Sequence, residues 1–87
     1  VVQNDVFNRS AIATTVVCVI TANLGRAKAP GNVLLKKGEG NLHKPSVVNV
    51  SQLLTVDKTE LMEYSGKLTG HSMDSVRDGL YILFERY

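Results

Sequence analysis

The sequence predicts a small α+β domain that is mainly β, with one amphipathic helix at its C-terminal end. Three observations predict it. Short runs of β-branched and apolar residues alternate with turn residues, the pattern of strands. Apolar residues at helical spacing occur near the end, at Met73, Val76, Leu80, Leu83, Phe84 and Tyr87. The 87 residues, with 44% hydrophobic and 21% charged content, make one ordinary globular domain and exclude a disordered chain.

Val1–Gln3 reads as the end of a strand, and the apolar pair Val1-Val2 leads us to expect further residues ahead of Val1. Asn4, Asp5, Asn8, Arg9 and Ser10 form a turn, because short polar side chains satisfy nearby backbone groups. Thr14–Ile20 is apolar and β-branched throughout, which predicts a strand buried on both faces. A loop over 22–31 carries Asn23, Gly25, Arg26 and Lys28 and ends at Pro30-Gly31. A short strand is expected over 32–35, then a loop over 36–45 punctuated by Gly38, Gly40 and Pro45.

Ser46–Leu54 is the third strand region, and its alternation breaks near Asn49–Gln52, which predicts a bulge. Asp57-Lys58-Thr59-Glu60 has capping-box spacing and predicts one helical turn. Tyr64–Thr69 alternates and is expected to form an edge strand that Gly70 ends. In the final helix Ser72 is the expected N-cap. Asp74 opposes the positive end of its dipole and Arg86 the negative end. About 14 residues give it a length of roughly 21 Å.

A domain of this size buries a little over ~60% of the surface its unfolded chain exposes. A bound subunit or ligand would therefore add much of its stability. No run approaches the roughly 18–20 apolar residues of a membrane span, so no membrane role is expected. Cys18 is the single cysteine, inside the run Val16–Ile20. It excludes a disulfide framework, fits a reducing cytoplasm and reads as a small hydrophobe.

Charge divides the chain. Residues 1–45 hold six basic residues (Arg9, Arg26, Lys28, Lys36, Lys37, Lys44) against Asp5 and Glu39; residues 46–87 hold four basic and six acidic. The halves are thus +4 and −2, summing to the net +2. A basic half suits one surface facing a polyanion, although solvated loop lysines give the same count.

Familiar catalytic constellations are missing. The sequence has no Gly-rich phosphate loop, no Cys-x-x-Cys and no His-Glu-x-x-His. His43 and His71 have no carboxylates at metal-ligand spacing, so no metal and no cofactor are expected. Ser65, Ser72 and Ser75 lack a nucleophile-elbow context.

Four motifs in consistent order go further. Val1-Val2-Gln3-Asn4-Asp5 with Asn8-Arg9 is one, and Val19-Ile20-Thr21-Ala22-Asn23 leading to Ala27–Val33 is the second. Ser46-Val47-Val48 with Thr55–Leu61 is the third, and Tyr64–Leu68 followed by the helix is the fourth. Together they resemble the MazF/PemK (Kid) family of ribonuclease toxins, and Pro30–Val33 with Val47–Val50 looks most like its mycobacterial-type branch.

The resemblance implies an SH3-like twisted barrel of the MazF/CcdB type with a C-terminal helix, over a single domain 1–87 lacking the family's first strand and first loop. It implies a cytoplasmic homodimer that binds single-stranded RNA or mRNA and a cognate MazE-like antitoxin. Its implied activity is sequence-specific, metal-independent cleavage to 2′,3′-cyclic phosphate and 5′-hydroxyl ends. In the family this chemistry falls to an arginine and a threonine. Thr21 matches the threonine; read without the family it is simply a β-former closing a strand. The arginine belongs to an Arg-Pro pair expected upstream of Val1. No Arg-Pro occurs in this sequence, and Arg9 and Arg26 match other positions. If the molecule begins at Val1, little catalysis is expected.

Arg26 and Lys28 are candidates for phosphate contacts, and Asn23 for a base edge. Phe7 is the only aromatic of the basic half. It is a candidate for stacking on an unpaired base, or it anchors the turn. Tyr81, Phe84 and Tyr87 are assigned to core or interface. Two other functions fit the resemblance: a toxin of the same fold acting on a protein such as DNA gyrase, and an RNA-binding remnant. Against the first, the gyrase-directed toxins end in an aromatic segment with Trp, and this chain has no Trp.

Overall fold

The computed structural model describes residues 1–85. Three antiparallel strands, β1 (Thr14–Thr21), β2 (Val33–Leu35) and β3 (Ser46–Asp57), form one sheet in the order β1-β3-β2. A short helix α1 (Asp5–Asn8) precedes the sheet and a long helix α2 (Gly70–Phe84) follows it. Single 3₁₀ turns lie at Leu24–Lys28, Glu39–Asn41 and Lys58–Glu60.

β3 is central, and its first half is the best-covered stretch of the sheet: residues 46–50 are all buried. Val48 and Val50 join Leu35 and Val76 in the core, with Val2, Cys18, Val33, Leu42, Leu68 and Leu80 packed around them. The predicted break in β3 is real. Cys18 pairs with Leu53 but Val19 pairs with Asn49, so Val50–Gln52 have no partner on β1.

The sheet is open. β1 and β2 are its two edges, so the strands do not close into the barrel that the resemblance implies. Openness also corrects the expectation for β1, which is not buried on both faces. Only Thr15 is buried, and Ile20 is 43% exposed. The cause is that α2 packs over β3 and β2, leaving β1 half-covered. Along this edge the Val2 N–H donates to the Val16 carbonyl (3.0 Å), so the expected strand end at residues 1–3 contributes a single rung.

The turn at 4–10 forms α1, capped by Asn4, whose Oδ1 accepts from the Val6 N–H at 2.8 Å. Asn8 ties it down: its Nδ2 donates to the Gln3 carbonyl (2.9 Å) and its Oδ1 accepts from Thr15 Oγ1 (2.8 Å). The helical turn expected after Asp57 is present, but Asp57 makes no side-chain cap bond. Instead Lys58 Nζ reaches back to the carbonyls of Asn8 (2.7 Å) and Ser10 (3.2 Å), clamping α1 to the end of β3.

The edge strand expected at Tyr64–Thr69 does not form. Ser65 Oγ donates to the Gly40 carbonyl (2.8 Å) and the Ser65 carbonyl accepts from Asn41 Nδ2. These bonds lay the segment on the 38–42 turn, and it pairs with no strand of the sheet. α2 starts earlier than predicted: Thr69, not Ser72, is its N-cap, with Oγ1 accepting from the Ser72 N–H at 3.1 Å. Ser72 thereby moves inside the helix, where its buried hydroxyl donates to Glu39 Oε1 at 2.9 Å.

Ser72, Val76 and Gly79 are the buried face of α2. Tyr81 and Phe84 are 73% and 71% exposed, which removes the core assignment for them. At about 100° per residue, Tyr81 lies roughly 200° round the helix from Gly79. Arg86 and Tyr87 lie outside the described residues. No helix among the described residues is long and apolar enough to cross a membrane.

Candidate functional site

β1 ends at Thr21, which stands opposite Val47 of β3. Directly opposed residues share a face, so the Thr21 side chain lies on the Val47 face, opposite the face of Val48 and Val50. Thr21 Oγ1 accepts the Asn23 N–H at 3.1 Å. That bond fixes the oxygen while its own O–H donates to nothing among the described residues. Asn23 caps the next turn, its Oδ1 accepting from the Gly25 N–H at 3.1 Å. Its Nδ2 makes no hydrogen bond among the described residues.

The chain then crosses β3 to reach the far edge of the sheet. The crossing turn, Leu24–Lys28, carries Arg26 and Lys28 in its last turn, both exposed. Neither forms a salt bridge; among the described residues the ion pairs are Arg9–Asp5 (3.7 Å) and Arg77–Asp74 (2.8 Å). Asn32 holds the turn against the bulge. Its Nδ2 donates to the Arg26 carbonyl (2.9 Å) and to Asn49 Oδ1 (3.1 Å), and its Oδ1 accepts from the Val50 N–H (2.9 Å). Asn49 is buried and donates onward to Gln52 Oε1 at 3.2 Å.

Thr21, Asn23, Arg26 and Lys28 are thus brought together on one continuous turn. Phe7 is not. It sits on α1, which is bonded to Thr15 through Asn8, at the opposite end of β1 from Thr21. Six residues of strand at ~3.3 Å each separate the two ends by about 20 Å. At 53% exposed, Phe7 does not anchor the turn by burial.

The register adds residues that spacing did not single out. Leu35 pairs with Ser46 and Thr21 with Val47, so Lys36, Lys37 and Lys44 flank the same end of the sheet as Thr21. The Asn32–Asn49 pair was equally hidden, because neither asparagine has a local signature; two polar residues within apolar strands were the signal available.

His43 and His71 are exposed, and no group of three His, Cys, Asp or Glu among the described residues could hold a metal ion. Cys18 packs beside the core, and burial pushes its thiol above the ordinary value, which lowers its nucleophilicity at neutral pH.

The family described as PemK-like, MazF-like toxin of type II toxin-antitoxin system matches residues 1–84. Endoribonuclease MazF6 of Mycobacterium tuberculosis is 40% identical over 80 residues, covering 92% of this chain and 70% of that protein. Endoribonuclease EndoA of Bacillus subtilis is 34% identical over 82 residues, covering 94% and 70%. Endoribonuclease MazF of Staphylococcus saprophyticus is 33% identical over 82 residues, covering 94% and 68%. A match over nearly the whole chain, with relatives at this identity, has one meaning: the chain belongs to the PemK/MazF family of toxins of type II toxin–antitoxin systems.

Proposed function

We propose that this chain is an endoribonuclease toxin that cuts single-stranded RNA or mRNA at short specific sequences without a metal. Its products carry 2′,3′-cyclic phosphate and 5′-hydroxyl ends. The observation that carries this reading is the Thr21 hydroxyl, held by the Asn23 N–H at the root of a turn bearing two cations that form no salt bridge among the described residues.

The chemistry asks little of the protein. The RNA 2′-hydroxyl loses its proton and attacks phosphorus, forming the cyclic ester. The bond from phosphorus to the 5′-oxygen breaks, and that oxygen takes up a proton. The protein supplies in-line positioning and stabilises the charge on the phosphorane. Thr21 Oγ1 donates its free hydrogen to a non-bridging phosphate oxygen. The resemblance implies an arginine that supports the same charge; a guanidinium stays protonated far above neutral pH, which makes it a poor base. Arg26 and Lys28 bind flanking phosphates, and the Asn23 Nδ2 reads a base edge. Phe7 stacks only on a base of an RNA that runs the length of β1.

A cognate MazE-like antitoxin restrains the activity. The active form is a homodimer, supported by the exposed apolar Tyr81, Ile82 and Phe84 of α2. Sedimentation at micromolar concentration should give twice the monomer mass; a monomer there rejects the dimer. Cleavage of single-stranded RNA by the chain joined to the family's Arg-Pro segment should persist in EDTA. Replacing Thr21 with Val removes the hydroxyl and keeps the shape. It should lower kcat by about 10²–10³-fold, the cost of one lost oxyanion donor, with the circular dichroism spectrum unchanged. Unaltered cleavage would remove Thr21 from the mechanism, and RNA binding without cleavage by the unmutated protein would leave only a binding module.

A further inference from the structure

α2 meets Gly31, just after the crossing turn, backbone to backbone. A Cβ on Gly79 would run into the Gly31 carbonyl oxygen and lie 3.0 Å from the Gly31 carbonyl carbon. A Cβ on Gly31 would lie 3.0 Å from Gly79 Cα, 3.1 Å from the Gly79 oxygen and 3.2 Å from Val50 Cγ2. Gly31 also holds φ at +76°, where side chains are disfavoured. Glycine weakens a helix interior relative to alanine, so Gly79 needs a compensating gain. The close approach is that gain: it lets the helix, the turn and the β3 bulge share one point.

The next residue relays that point to the binding turn. Asn32 spans from the Val50 N–H (2.9 Å) to the Arg26 carbonyl (2.9 Å). Gly31 cannot move away from Gly79 without dragging Asn32, and Asn32 holds the backbone of Arg26. The path from α2 to an exposed guanidinium therefore consists of one backbone contact and one bridging side chain.

We propose that the Gly31–Gly79 contact sets where the Leu24–Lys28 turn presents Arg26 to RNA phosphate, making Gly79 a positioning residue for substrate binding. Gly79 itself touches no substrate and lies on the far side of the core from Thr21. The inference rests on the reading of Arg26 as a phosphate ligand.

The test uses a fluorescein-labelled single-stranded RNA of mixed sequence and the protein in a Thr21→Val background, which slows cleavage enough for binding to be read first. Binding is measured across a salt series. The slope of log affinity against log salt counts phosphate contacts, at about 0.7 per contact for single strands. Arg26→Ala should reduce the slope by about that amount. Gly79→Ala should reduce it equally, and the double variant should go no lower than either alone. Leu80→Ala, also on α2, should lower the melting temperature and keep the slope. Should Gly79→Ala not fold, Asn32→Ala carries the same expectation.

The possible failures separate. No RNA binding, or an unaltered slope in Arg26→Ala, removes the phosphate assignment and this inference with it. A reduced slope in Arg26→Ala, with the parent slope kept in Gly79→Ala and Asn32→Ala, overturns the positioning role alone.

Discussion

Single side chains do most of the joining in this molecule. Asn8 is the clearest example: it accepts from Gln3 Nε2 (3.0 Å) and Thr15 Oγ1 (2.8 Å) and donates to the Gln3 carbonyl. Thr15 is 2% exposed, so its hydroxyl has no water to fall back on. Asn8→Ala should therefore cost about 1–3 kcal/mol, the penalty for an unsatisfied buried polar group, read as a shift in the urea midpoint at constant m. The candidate site was chosen at this scale: Thr21 from the family pattern, and Arg26 and Lys28 from charge near a strand end, and the fold places all three at one end of the sheet. The N-cap of α2 was not legible in the sequence. Thr69 and Ser72 are equally good caps by chemistry, and both hydroxyls donate to Glu39 Oε1, Thr69 at 3.4 Å and Ser72 at 2.9 Å, from thirty and thirty-three residues away in the chain. No local pattern holds that information.

At the level of elements, periodicity served well where packing agreed with it. α2 and β3 follow from their spacing, and the bulge follows from the lapse in alternation at Asn49–Gln52. The 64–69 segment shows the limit. Its alternation is genuine, but a strand needs a partner edge, and Gly66 instead lies on Gly40. A Cβ at Gly66 would come 2.8 Å from the Gly40 carbonyl carbon. Gly66→Ala should therefore destabilise the domain by about 1–3 kcal/mol, as overpacking does. It should also raise hydrogen exchange at Gly38, whose N–H donates to the Leu42 carbonyl at 2.8 Å. A variant as stable as the parent would mean that the two turns separate freely.

The whole molecule is a slab of 38 × 37 × 21 Å with a radius of gyration of 13.2 Å. A chain of this length packed as a sphere-like domain would have a radius of gyration near ~12 Å. One sheet and one helix layer cannot cover both faces of β1, and composition did not reveal this, because an apolar strand looks the same whether or not something lies over it. The interruption at Val50–Gln52 has a further consequence for how such a slab comes apart. On one side of it, Ser46–Val50 sit under α2; on the other, Ser51–Asp57 contain no buried residue and hold only β1, with α1 clamped by Lys58. The irregularity is thus a seam between two units of unequal local stability. Amides of Leu53–Val56 and Thr14–Val17 should exchange with deuterium by a lower-energy opening than those of Val47–Val50. The distal half of the sheet can therefore yield while the half that carries Thr21 and the crossing turn stays folded.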